Sequence, residues 1–216
     1  MDLETINRLN PDYLIKSIND FSFRTYGRII EENIQDVLVY VTKNFLPLEL
    51  GNAYSPSLST VEQFESIQRL SHRVYGHLDV MGGVVTGYNQ VLNGIEYHQG
   101  SETIIAASDC IMVVGHLWDM KNDTFDSALC ECFYIPQGTI VECYSTTLHY
   151  TPICVSDAGF TTICLLLNGT GDMLNKKMGI LKKRNKWFIA HSENIEKVQA
   201  GDFQGLTGKM IKINYK

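Results

Sequence analysis

The sequence contains no run of about eighteen or more apolar residues, so nothing in it reads as a membrane-spanning helix. Its first residues, Met1-Asp2-Leu3-Glu4-Thr5, are acidic and lack an apolar stretch, unlike a secretory signal, and the cytoplasm is the expected compartment. Positive charge is scarce: 18 Lys and Arg stand against 24 Asp and Glu, a net charge of −6. A nucleic-acid binder needs a basic face for phosphates, so the charge argues against that class, and no helix-turn-helix pair is visible. Also missing are the Gly-x-Ser-x-Gly elbow, the Gly-x-x-x-x-Gly-Lys phosphate loop and the dinucleotide Gly-x-Gly-x-x-Gly. Serine hydrolase, NTPase and nicotinamide-dependent readings therefore have no support. No C-x-x-C pair exists to build a thiolate zinc site.

The six cysteines sit singly in apolar runs such as Ser127-Ala128-Leu129-Cys130-Glu131-Cys132-Phe133, where they read as buried free thiols serving as small hydrophobes. At 216 residues the chain has room for one substantial core, and a single domain over 1–216 is expected. From about residue 80 onward, short runs rich in Val, Ile, Thr, Tyr and Cys alternate with turn signals including Gly82-Gly83, Asn93-Gly94, Pro136-Gln137-Gly138 and Asp157-Ala158-Gly159. That pattern predicts a mainly β fold, a barrel or sandwich core over 80–216, with segment 1–80 packed on it. Val61, Phe64, Ile67, Leu70 and Val74 recur at helical spacing, predicting a peripheral helix near 60–75. Ser59 and Glu62 read as its capping box and Gly76 as its stop. A short helix is expected from Thr5 to Leu9, and Phe23 to Ile30 reads as a strand or its approach.

The chemistry concentrates in Gly94-Ile95-Glu96-Tyr97-His98-Gln99-Gly100-Ser101-Glu102 and in His149 of Thr147-Leu148-His149-Tyr150-Thr151-Pro152. If the first segment stays extended, Glu96, His98 and Glu102 leave one face of a sheet. Two carboxylates and an imidazole, joined by a second imidazole from a later strand, supply the ligands a divalent metal needs. Manganese, iron, zinc and nickel all suit such a set. The plain alternative is a buried, hydrogen-bonded polar cluster without an ion.

At these residues the chain resembles a cupin. Glu96-x-His98-x-x-x-Glu102 has the spacing of that superfamily's first motif, with Glu96 where the first histidine usually stands. Pro136-Gln137-Gly138 resembles the turn of the second motif, although His149 falls later than the usual position, which Val141 occupies. Phe23-Arg24-Thr25-Tyr26-Gly27, His98-Gln99-Gly100-Ser101-Glu102 and Leu148-His149-Tyr150-Thr151-Pro152 loosely resemble three segments of the ureidoglycolate lyase branch, in the same order. The chain as a whole resembles a bacterial family within the cupins more than it resembles that enzyme. The resemblance implies a double-stranded β-helix jelly roll with a pocket in its mouth.

Two functions follow as expectations. One is a metal-dependent enzyme, a lyase, isomerase or epimerase acting on a small hydroxylated acid or sugar derivative, with Glu96, His98, Glu102 and His149 on the ion. Glu142, a lone carboxylate in Thr139-Ile140-Val141-Glu142-Cys143-Tyr144, either lines the pocket as general base or faces solvent on the outer sheet; Glu96 is the other candidate acid or base. The second function is a non-catalytic small-molecule-binding or sensing domain. Alternation sends Tyr97 and Tyr150 away from the ligands, into core packing, and His191 reads as a core histidine. Lys176, Lys177, Lys182, Lys183, Arg184 and Lys186 form either a rim that attracts carboxylate or phosphate, or a solvated hairpin. A homodimer is expected, with Phe23 to Ile30 as a candidate contact.

Overall fold

The computed structural model describes residues 2–48, 51–176 and 178–216; Met1, and Lys177 of the basic cluster, lie outside the described residues. In chain order the first elements are α1 (Leu3–Leu9), β1 (Ile15–Ser17), β2 (Gly27–Ile30), α2 (Gln35–Asn44), β3 (Asn52–Ser55), α3 (Ser59–Glu62) and α4 (Glu65–Tyr75). Then come β4 (Val80–Gly87), β5 (Gly94–Tyr97), β6 (Glu102–Ala106), β7 (Cys110–His116), β8 (Phe125–Asp126), β9 (Glu131–Ile135) and β10 (Ile140–Cys143). The last are β11 (Thr147–Leu148), β12 (Ile153–Cys154), β13 (Phe160–Leu167), β14 (Leu181–Lys183), β15 (Lys186–Ala190), α5 (Ile195–Gln199) and β16 (Leu206–Thr207).

Two sheets face each other. One is antiparallel throughout, in the order β2-β10-β6-β13-β4-β3. In the other, β7 pairs with β9, β11 and β12, and β1 joins β9 in parallel. A smaller sheet, β14-β15-β5, continues it through a backbone bridge between Glu96 and His149. The fold is mainly β, a jelly-roll arrangement of facing sheets, as the strand pattern predicts. The N-terminal segment does more than lie on the barrel, because β1, β2 and β3 are strands of its sheets.

Side-chain alternation sorts the core into layers. Cys110, Met112 and Val114 of β7 point inward, meeting Ile104, Val141 and Phe160 of the opposite sheet. Ile111 and Val113 point outward and are covered by Ile6, Ile211 and Ile213 from the two ends of the chain. On the far side, Ile105, Ile140 and Ile163 are covered by Val37, Val41, Ile67 and Leu70 of α2 and α4. Each sheet is thus buried on both faces. All six cysteines are free, and all but the half-buried Cys130 are buried.

The helix expected near 60–75 is present but broken between α3 and α4. Ser59 is its first helical residue rather than its cap, and the Glu62 carboxylate instead accepts from Gly82 N–H (2.9 Å) and Ser57 Oγ (3.1 Å), tying the turn to β4. Gly76 ends α4 in the left-handed region at φ 59°, as its position implies. Phe23 and Tyr26, expected to be available for a dimer contact, are 2% exposed; the open part of that segment is the outer edge of β2.

One side chain fastens the helical layer to the sheet that carries the candidate site. Tyr75 Oη donates to Leu165 O (2.6 Å) and accepts from Thr103 N–H (2.9 Å), next to Glu102. Thr103 and Leu165 are both fully buried, so Tyr75→Phe should lower unfolding stability by about 1–3 kcal/mol. Urea denaturation measures it, and an unchanged midpoint would contradict this role for the hydroxyl.

Candidate metal centre

Glu96 and His149 are set opposite each other by the backbone. Glu96 N–H donates to His149 O (2.8 Å) and His149 N–H returns to Glu96 O (2.9 Å), a hydrogen-bonded antiparallel pair whose side chains leave the same face. Ile95 takes the opposite face, into the outer apolar layer. Beyond β5 the chain bends at Gln99-Gly100 and crosses to the other sheet. Gly100 sits at φ 85°, and a Cβ there would approach Leu167 Cδ1 to 2.7 Å, so the crossing requires glycine. Glu102 therefore reaches the site as the first residue of β6. Shared parity along one extended segment, the reason expected for its facing Glu96 and His98, is not the cause: the two sheets bring it in from opposite walls.

All four side chains are buried, at 3–8% exposure. Glu102 Oε2 lies 2.8 Å from His149 Nε2 and 3.4 Å from His98 Nε2, and Glu96 Oε1 lies 3.7 Å from His98 Nε2. One ligand atom each from Glu96, His98 and His149 falls within 4.8 Å of the others. Atoms sharing an ion at about 2.1 Å sit about 3 Å apart at right angles and about 4.2 Å apart across it. The 2.8, 3.4 and 3.7 Å contacts lie near that range, while the group of Glu96, His98 and His149, which does not include Glu102, closes only within 4.8 Å.

The far sides of the rings are committed. His98 Nδ1 donates to Asn185 O (2.9 Å) and His149 Nδ1 to Thr147 O (3.0 Å), which leaves both Nε2 atoms aimed at the centre. Asn185 lies in the turn between β14 and β15 at φ 53°. Its side chain accepts from Gln99 N–H (2.9 Å) and donates to Gln99 O (2.9 Å) and Thr170 Oγ1 (2.8 Å), clamping the bend to the hairpin.

The electrostatics follow from this packing. Burial alone would push the Glu102 carboxyl up, but hydrogen bonds from His149 and His98 reverse this and hold it far below the usual range. Burial likewise works against a charged His149, yet its contacts with Glu102 raise it. With Nδ1 already donating, His149 meets Glu102 only by carrying a second proton on Nε2, and a cation between them would replace that proton. Cys164, buried beside Glu102, is pushed well above the thiol range, by burial first and then by the Glu102 charge. Burial and the Glu96 charge raise Tyr150, which stays a neutral donor.

These groups line a cavity of ≈ 220 Å³ with Tyr54, Tyr150, Cys164 and Lys186. Glu142 and Tyr150 lie elsewhere than their sequence context implies. Glu142 is not in the cavity: its neighbour in the ladder is Thr103, so it points with Thr103 to the outer face, where its Oε2 lies 2.5 Å from Arg28 Nε. It is also buried, at 7% exposure, so neither the pocket base nor the solvated alternative describes it. Tyr150, assigned to core packing, lines the cavity as well as packing on Phe188, because the strand ends at Leu148 and its alternation stops there. Tyr97 does pack outward, stacked on Trp187 at 5.1 Å, and His191 is a core histidine bonded to Gly208 O (3.1 Å).

The basic cluster divides. Lys182 pairs with Asp202 and Arg184 with Asp172, while Lys186 Nζ lies 2.6 Å from Glu96 Oε2 inside the cavity mouth. That contact is an ion pair only, since Glu96 Oε2 falls outside hydrogen-bonding angles. The charge run was the one sign of Lys186 in the sequence.

The chain belongs to the family described as "Domain of unknown function (DUF4867)", whose model matches residues 15–211. No curated protein matches it. Among solved structures, EvdO2 from Micromonospora carbonacea var. aurantiaca, complexed with 2-oxoglutarate, is similar over 70% of this chain and 91% of its own, at 11% identity and TM-score 0.46. Bacillus subtilis oxalate decarboxylase is similar over 81% of this chain and 41% of its own (11% identity, TM-score 0.37). Salicylate 1,2-dioxygenase from Pseudoaminobacter salicylatoxidans is similar over 61% and 29% (8%, 0.31). The chain spans less than half the length of the last two.

Two substitutions separate the pocket from the outer face. Glu142→Gln should leave metal content unchanged, because its carboxylate faces Arg28 on the far side of the sheet. Asn185→Ala should weaken metal binding by about 10-fold, because it removes the side-chain clamp on Gln99 and Thr170 that holds the turn whose carbonyl orients His98. Competition against a metallochromic chelator reads both, and the reverse ranking would overturn this account of the site.

Proposed function

We propose that the protein is a metal-dependent enzyme of the cupin type, acting on a small hydroxylated acid or sugar derivative by isomerisation, epimerisation or elimination. The observation that carries this is the pair of imidazoles whose Nδ1 groups are spent on backbone carbonyls while their Nε2 atoms converge with two carboxylates in a buried cavity. Glu96, His98, Glu102 and His149 would hold the ion, whose contribution when bound is to polarise a substrate carbonyl or hydroxyl as a Lewis acid. The donors are nitrogen and hard oxygen, which suit manganese, iron, zinc or nickel.

The chain's own groups supply the rest. With Glu142 outside the cavity, Glu96 is the carboxylate left to move a proton: Oε1 faces the histidines and Oε2 faces Lys186 at the cavity mouth. The phenol of Tyr150 donates to a substrate oxygen, and Ile104, Leu166 and Val85 form the apolar wall that limits water. Elimination of the ureidoglycolate lyase kind is the nearest named reaction, resting on the resemblance of the three short segments.

Elemental analysis of protein purified without chelator tests the reading. About one ion per chain is expected in wild type, with most of it lost in His98→Ala and Glu102→Ala while the circular dichroism stays that of a β fold. Equal occupancy in all three proteins, or none in wild type, would remove the metal from the site.

A further inference from the structure

Resting on that reading, we infer that Lys186 is a specificity-determining residue that anchors a substrate carboxylate, so that the pocket takes small hydroxy acids in preference to neutral sugars or alcohols. Lys186 opens β15, directly after the Asn185 turn that clamps the bend beside His98. The hairpin that orients a candidate ligand therefore also fixes the height of the ammonium at the cavity mouth. The Lys186 side chain is 25% exposed, and among the described residues Glu96 is its one partner. An ammonium carries three donors, so at least two remain for an incoming group.

Charge accounting favours an anion. The charged side chains lining the cavity, among the described residues, are Glu96, Glu102 and Lys186, with His98 and His149 beside them. A divalent ion cancels the two carboxylates, and Lys186 leaves the filled cavity with one net positive charge. A monoanion neutralises it; a neutral polyol does not. Position agrees with charge, because Lys186 reaches the oxygen of Glu96 that faces away from His98. A carboxylate on the ammonium would thus place its own α-hydroxyl toward the four candidate ligands. Elsewhere in the basic cluster, Lys182 and Arg184 are held by Asp202 and Asp172, and among the described residues Lys186 is the cluster's member that lines the cavity.

The test titrates Mn²⁺-loaded protein with glycolate, lactate and glycerate and with the matching neutral amides, in wild type, Lys186→Met, Lys186→Gln and Lys186→Arg, following binding by calorimetry. Metal content and melting temperature are measured on the same samples. Wild type should bind at least one acid about tenfold or more tightly than its amide, as a charge-assisted hydrogen bond implies. Lys186→Arg should keep that preference. Lys186→Met and Lys186→Gln should lose it while retaining metal at or above the wild-type level, because Glu96 Oε2 is then released. An anion preference that survives in both neutral variants, or a wild type that binds no acid better than its amide, overturns the inference and leaves the metal reading intact. A wild type without metal overturns both.

Discussion

Two carboxylates buried in one cavity must be met by positive charge within hydrogen-bond range, and the architecture around the site answers that requirement. An unpaired buried carboxylate costs several kcal/mol. Glu102 is met by His149 and His98, and Glu96 by Lys186. The three cationic or protonatable partners come from three places: the chain just past β5, the residue after β11, and the start of β15. Closing the cavity thus requires the small sheet, the loop after β11 and the facing six-stranded sheet to dock together. The buried charge cluster makes a misplaced hairpin costly, since it would strand Glu96 without a partner.

Backbone groups do the orienting. The reciprocal hydrogen bonds between Glu96 and His149 fix the pair before any side chain is considered, and the carbonyls of Thr147 and Asn185 fix the tautomers of the two rings. Glu142 meets the same burial problem differently. It is buried about as deeply as Glu96, yet it is paired with the 55% exposed Arg28 side chain, and among the described residues it belongs to no group that could hold a metal. A buried carboxylate becomes a candidate site only where several donors converge with spare valence, as they do on the inner face.

This contrast explains what the sequence could and could not reveal. Glu96, His98, Glu102 and His149 were legible because polar residues at short spacing interrupt strands that are otherwise apolar. Which face Glu142 takes was not legible. Ile140, Val141, Glu142 and Cys143 are all buried, since α2 and α4 cover the outer face while the barrel fills the inner one. A strand buried on both sides carries no alternation from which to choose. The break between α3 and α4 escaped for a related reason: the apolar spacing runs through it, and only the docking of Glu62 on Gly82 N–H shows that the turn serves β4. Lys186 was one of six basic residues in a short stretch, and its distinction is tertiary, set by the register that places Phe188 opposite Glu96.

Glu96 turns one oxygen toward His98 and the other toward Lys186, so on the proposed reading it would carry two interacting duties. A carboxylate in place of a neutral imidazole gives an ion a harder donor and offsets part of its charge, which by itself reduces Lewis acidity. Lys186, 2.6 Å from the opposite oxygen, draws on the same carboxylate. Glu96 would then offer an ion less charge than an unpaired carboxylate does, recovering part of the acidity that the imidazole would have preserved. A substrate carboxylate arriving on Lys186, as proposed above, would share the ammonium with Glu96 and loosen that pull. With an ion bound, the donor strength of Glu96 would therefore depend on whether the mouth of the cavity is occupied, a coupling that would follow from placing one carboxylate between an ion and the Lys186 ammonium.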